Sequence, residues 1–139
     1  MGPKLGVPDV PACPMEPRLK HCLVVDDSRV IRKIACRILE QLRFETEEAE
    51  DAASALNACR KRMPDAVLLD GQLPQPGGIE FLRGLRREQG GERPVVVYCT
   101  TENDVSRIVE AIGAGADDYV LKPFNRNSIH DTLAENGLL

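Results

Sequence analysis

The sequence contains no long apolar run. No stretch approaches the ~20 residues that a membrane-spanning helix requires, and the N-terminus lacks the basic-then-apolar layout of a secretory leader. A cytoplasmic protein without membrane insertion is therefore expected. A cysteine framework is missing as well. Cys13, Cys22, Cys36, Cys59 and Cys99 are odd in number, widely spaced and free of any CxxC pair, which fits reduced thiols better than a disulfide or zinc scaffold. Nor is there an excess of positive charge. With 18 Lys and Arg against 22 Asp and Glu, the net charge is −4, which argues against nucleic-acid phosphates as a partner. The chain also has no internal repeat.

What remains is ordinary globular composition, 42% hydrophobic and 29% charged over 139 residues, enough for one domain with a core. Five of the ten prolines (Pro3, Pro8, Pro11, Pro14 and Pro17) fall in the first 17 residues, where no hydrophobic period is visible. Residues 1–18 are read as a flexible arm and 19–139 as the domain.

Along the domain, short apolar runs alternate with amphipathic stretches. Cys22 to Val25 reads as a strand, followed by Asp26, Asp27 and Ser28 and then by a helix with Ile31, Ile34, Ile38 and Leu42 on its inner face. Arg29, Arg32, Lys33 and Arg37 fall largely away from that face. Thr46 to Ala49 is a weak strand candidate. Asp51 is a good N-cap for a helix around residues 53–62, with Ala52, Ala55, Leu56 and Cys59 inward, and Pro64 stops it. Ala66 to Asp70 is a continuous apolar run ending in an acid, the pattern of a strand covered on both faces. A third helix carries Ile79, Leu82 and Leu85, a fourth strand runs from Val95 to Cys99, and a fourth helix carries Val105, Ile108, Val109 and Ile112. Tyr119 to Leu121 is the last strand, and Ile129 and Leu133 mark a last helix that Gly137 can terminate. Five strand–helix alternations predict an α/β fold, a doubly wound five-stranded parallel sheet with helices on both faces.

In such a sheet the working groups lie beyond the carboxyl ends of the strands. Here those ends carry Asp26 and Asp27, Asp70, Thr100, and Lys122 followed by Pro123. Three carboxylates so close repel one another unless a cation sits among them, and an oxygen-only site with open positions suits Mg²⁺. Each residue alone has a duller reading: Asp27 or Ser28 as a helix cap, Lys122 as a solvated lysine, Thr100 as a loop residue, Tyr119 as core.

The pieces VVDDSRVIRK, VLLDGQLP, VVVYCTTEND and DDYVLKPF, with Asp70 30 residues before Thr100 and 52 before Lys122, resemble the receiver domains of two-component signalling over about residues 19–136. The resemblance implies a CheY-like (βα)5 fold. It implies Asp70 as phosphoacceptor, Asp27 as a direct Mg²⁺ ligand, Asp26 as an outer acid, and the Gln72 backbone carbonyl as a further ligand. Lys122 and Thr100 support the transfer, Pro123 follows a cis bond that aims Lys122, and Thr100 and Tyr119 form the switch. The implied partners are a sensor histidine kinase or histidine phosphotransfer protein and a downstream target protein, with the chain a monomer. DDSRVIRK and CTTEND resemble chemotaxis regulators, whose target is a flagellar motor switch; a phosphorelay intermediate is the alternative.

Gly71, Gln72 and Thr101 depart from the family's commoner residues. Thr101 narrows the path of water to an acyl phosphate, and Gln72 leaves the lifetime of the phosphoryl group open in either direction. Arg83, Arg86 and Arg87 read as a solvated face, with anion recognition as the lesser alternative. Two rival functions fit less well. An aspartyl-phosphate phosphatase of the dehalogenase type needs a second acid where Gln72 stands, and a flavin module needs a phosphate-cradling loop where Asp26 and Asp27 would repel phosphate.

Overall fold

The structure, a computed structural model, describes residues 19–139 apart from Gln75 and Glu102. The expected arm over 1–18, with Cys13, lies outside the described residues. The elements follow in strict alternation: β1 Lys20–Val25, α1 Arg29–Gln41, β2 Phe44–Ala49, α2 Ala52–Lys61, β3 Ala66–Asp70, α3 Gly78–Arg87, β4 Val95–Thr100, α4 Val105–Ala114, β5 Asp118–Leu121 and α5 Arg126–Glu135. All five strands are parallel, in the order β2-β1-β3-β4-β5. The expected doubly wound sheet is therefore present.

Alternate side chains of each central strand feed two cores. Leu23, Val25, Val67, Leu69, Val96 and Tyr98 face α2, α3 and α4 on one side. Cys22, Val24, Ala66, Leu68, Val97 and Cys99 face α1 and α5 on the other. This double burial is why those strands read as continuous apolar runs. β2 was a weak candidate because it is an edge strand. Its Glu45 and Glu48 lie outside the cores and are held by Arg62 at 2.7 Å and by Arg32 and Lys33 at 2.9 and 2.7 Å. Asp51 caps α2 in a reciprocal box with Ser54. Gly137, at φ +82°, follows the Asn136 cap of α5, and the Leu138 N–H reaches back to the Leu133 carbonyl at 2.9 Å.

Two expectations about faces fail, and a third helix face is laid out differently from the rest. In α1 the buried residues are Ala35, Cys36 and Leu39, with Leu42 just beyond, while Ile34 is exposed. The small Ala35 and Cys36 let the helix approach the sheet closely, so its inner face is turned from the one the isoleucines mark. In α4 only Ala111 is buried; Val105, Val109 and Ile112 point outward, beside the exposed Tyr119 and Leu121 of β5. The second failed expectation concerns α3. Arg83 and Arg87 are exposed, but Arg86 is a structural clamp. It donates to the carbonyls of Gly91 (2.8 Å), Pro94 (2.9 Å) and Gly115 (2.7 Å) and to Asp117 (3.0 Å), tying α3 to the segment before β4 and the turn after α4.

Arg86→Lys, which cannot reproduce that planar fork, is expected to lower the unfolding free energy by about 2 kcal/mol in urea denaturation. Arg83→Lys is expected to stay within about 0.5 kcal/mol of the parent.

Candidate functional site

The carboxyl ends of β1 and β3 place Asp26 and Asp70 side by side, both buried, with the exposed Asp27 next to them. One carboxylate oxygen from each of the three lies within 4.8 Å of the others. This is the cluster of acids that the strand ends predict.

Lys122, just after β5, reaches across to it. Its Nζ donates to Asp70 Oδ1 at 2.8 Å and to Asp26 Oδ2 at 3.2 Å. The Lys122–Pro123 bond is cis, as the resemblance implies. Burial works against the charged form of Lys122, but the bond to Asp70 and the charges of Asp70 and Asp26 outweigh it, so the ammonium is held above its ordinary pKa. Asp26 moves upward because burial and the neighbouring Asp70 charge outweigh the Ser28 N–H and Lys122.

Asp26 is the most tightly held of the three acids. Its Oδ1 accepts the Ser28 N–H at 2.8 Å, and its backbone carbonyl accepts Arg32 Nη1 at 2.7 Å. Arg32, expected to point to solvent, instead folds back from α1 and also pairs with Glu48. Ser28, rather than Asp27, is the N-cap of α1, its hydroxyl accepting the Ile31 N–H at 3.3 Å. The capping role is thereby taken, and Asp27 is free of it.

Gln72 is exposed in the turn after β3, and its N–H donates to Asp70 Oδ1 at 3.0 Å. Thr100 is fully buried at the end of β4, and its hydroxyl donates to Asp104 Oδ2 at 3.3 Å. Asp104 was missed by sequence reasoning; its only signal was a position at the start of α4, where an acid reads as a cap. It makes no side-chain cap here. Tyr119 lies outward, 44% exposed, so the reading of it as core fails. Thr101 sits beside Lys122, Pro123 and Phe124 at the rim, its hydroxyl bonded to Asn103 at 2.7 Å.

Residues 22–134 match the response regulator receiver domain family. The chain belongs to that family. Among relatives, the phosphate regulon transcriptional regulatory protein PhoB of Escherichia coli is 41% identical over 76% of this chain and 46% of its own length. The response regulator MprA of a Mycobacterium species is 41% identical over 73% of this chain and 44% of its own length. The chain thus spans about half the length of these curated relatives. The Vibrio cholerae chemotaxis response regulator CheY4 superposes with a TM-score of 0.80 at 29% identity, covering 85% of this chain and 98% of that one. The receiver domain of NtrX from Brucella abortus superposes at 0.74 with 35% identity, covering 84% and 97%.

This chain is thus a receiver domain of a two-component response regulator. The expectation that nucleic acid is not a partner gains no support, since one relative is named a transcriptional regulatory protein. Among the described residues no helix is long and apolar enough to cross a membrane.

The residues present fit a hard divalent cation. The donors are all oxygen, and three carboxylates against the single ammonium of Lys122 leave negative charge for it to balance. Receiver domains generally bind Mg²⁺ at such an acidic pocket. Titration with Mg²⁺ is expected to move the amide resonances of Asp27, Asp70 and Gln72 in NMR spectra, and EDTA to return them. In Asp27→Ala those shifts should need at least tenfold more metal.

Proposed function

We propose that Asp70 takes a phosphoryl group from the phosphohistidine of a sensor kinase or histidine phosphotransfer protein, and that the acquired charge changes which protein the domain binds. The observation that carries this reading is the bridge of Lys122 to Asp70 and Asp26 at the edge where the three acids converge. An oxygen of the Asp70 carboxylate attacks phosphorus, the bond from phosphorus to the imidazole nitrogen breaks, and that nitrogen keeps the electron pair. Lys122 holds Asp70 in place and offsets charge as it develops. Asp26, Asp27, Asp70 and the Gln72 backbone carbonyl are the groups that would hold Mg²⁺, which when bound supplies further neutralisation of the phosphoryl oxygens.

The signal leaves by Thr100. Its hydroxyl is engaged with Asp104 at 3.3 Å, a long and therefore weak bond. The phosphoryl dianion at Asp70 competes for that hydroxyl, and a differential contact of about 1–3 kcal/mol shifts a two-state equilibrium roughly 5–150-fold. Thr100 moving away from Asp104 loosens the start of α4, and Tyr119 turns inward from its exposed position. The face formed by α4, β5 and α5, with Val105, Val109, Tyr119 and Leu121 exposed, is what a target protein reads.

A chemotaxis target is supported by the segments DDSRVIRK and CTTEND and by the likeness to CheY4, almost all of whose chain is covered. A second reading, an output of the transcriptional kind, is favoured by the 41% identity to PhoB and MprA. A phosphorelay intermediate would share the same Asp70 chemistry. All three place the domain in the cytoplasm, where the kinase's phosphohistidine is made.

Wild-type protein given a radiolabelled small phosphodonor is expected to take up at most one phosphoryl group per chain, in a reaction that EDTA stops. Asp70→Asn should fold and remain unlabelled; labelling of that variant at the parent rate overturns the assignment. For the switch, beryllofluoride is expected to move the Tyr119 ring resonances toward those of a buried ring. An unmoved ring with raised partner affinity would mean that activation takes another route.

A further inference from the structure

Gly71, the residue directly after Asp70, is buried, and the space its missing side chain leaves is filled. A Cβ there would stand 2.7 Å from both Cζ and the hydroxyl oxygen of Tyr98. Tyr98 lies on β4, wholly buried, with its backbone in register with Leu69 on β3. Its hydroxyl donates to the Gly71 carbonyl at 3.2 Å, while the Gly71 N–H donates to the Cys99 carbonyl at 2.8 Å. Both backbone polar groups of Gly71 are thus fixed from β4.

The peptide unit between Gly71 and Gln72 is planar, so fixing its carbonyl fixes the direction of its N–H. That N–H, of Gln72, donates to Asp70 Oδ1 at 3.0 Å, on the same oxygen that accepts Lys122 at 2.8 Å. Tyr98 therefore holds one end of a rigid plate whose other end holds the Asp70 carboxylate. Burial raises the phenol above its ordinary pKa, and the nearby Arg107 only partly opposes this, so the hydroxyl keeps its proton as a donor. On its other side Tyr98 packs in the core shared with Ile108 and Ala111 of α4.

We propose that Tyr98 is a positioning residue for phosphoryl uptake at Asp70, acting through the Gly71–Gln72 peptide plane, with Gly71 required because only it admits the Tyr98 ring. The inference rests on the reading of Asp70 as phosphoacceptor. It also accounts for Gly71 as a departure from the family's commoner residues: bulk absent after the acid is supplied from β4.

Tyr98→Phe keeps the ring and removes the hydroxyl. At saturating phosphodonor and Mg²⁺, its labelling rate is expected to fall about threefold to tenfold, the range of one hydrogen bond. A filler of the core alone would lower the thermal midpoint and leave that rate unchanged well below it. Gly71→Ala, whose methyl displaces the ring, should show a loss in the same direction. The Gln72 amide resonance should shift in Tyr98→Phe, and also in Asp70→Asn, which alters the carboxylate that accepts its N–H. In the wild type the Tyr98 hydroxyl proton should exchange slowly and show a cross-peak to Gly71, a readout that needs no variant to fold. A parent labelling rate in Tyr98→Phe with an unmoved Gln72 amide overturns the proposal, as does a freely exchanging hydroxyl. Labelling of Asp70→Asn would instead overturn the phosphoacceptor reading beneath it, so the two failures are distinguishable.

Discussion

The ammonium of Lys122 stands between two buried carboxylates, 2.8 Å from Asp70 and 3.2 Å from Asp26. Without it, two acids at adjacent strand ends would face and repel each other with little water to screen them. With it that repulsion is offset and the Asp70 carboxylate is held in place by a hydrogen bond. Much of the rest of the molecule serves this arrangement. β1 and β3 are neighbours in the sheet, so their terminal acids are adjacent, and Lys122 follows β5, two strands from β3. The parallel sheet brings together residues as far apart in the chain as Asp26 and Lys122, separated by 96 positions.

Around that bridge, further groups fix each acid by its backbone or side chain. Arg32 and Ser28 hold Asp26, the Gln72 N–H holds Asp70, and Tyr98 holds the peptide that carries that N–H. Thr100 is the exception. It is buried within the same edge, yet its hydroxyl is engaged with Asp104 at the start of α4 by a long bond. A site in which Asp26, Asp70 and Lys122 hold one another and one weakly bonded hydroxyl leads to a helix has a natural direction for its signal. The apolar residues that α4 and β5 leave exposed give that signal a surface to act on.

The strands were legible because burial on both faces leaves no room for polar residues in Cys22 to Val25, Ala66 to Leu69 or Val95 to Cys99. The acids, Thr100 and Lys122 were legible because each stands directly at the end of such a run. Helix faces were less so. In α1 the isoleucines outnumber the small residues that make the contact, so counting apolar residues turned the expected face away from Ala35 and Cys36, and in α4 most of the apolar residues that mark the helix are exposed. Arg86, Arg32 and Tyr98 were illegible for a different reason. Each of them bonds to backbone carbonyls, which carry no residue identity that a sequence pattern could display. Glycine at 71 was visible as a departure, but only the approach of the Tyr98 ring gives it a physical cause.

The most direct test of the whole account is to locate the phosphoryl group itself. Wild-type protein phosphorylated in Mg²⁺ and reduced with borohydride, which converts an aspartyl phosphate to homoserine, is expected to yield one modified peptide by mass spectrometry, with the change at Asp70. Homoserine at Asp26 or Asp27, or a phosphoryl group that resists borohydride and maps to a serine, threonine or histidine, would contradict it.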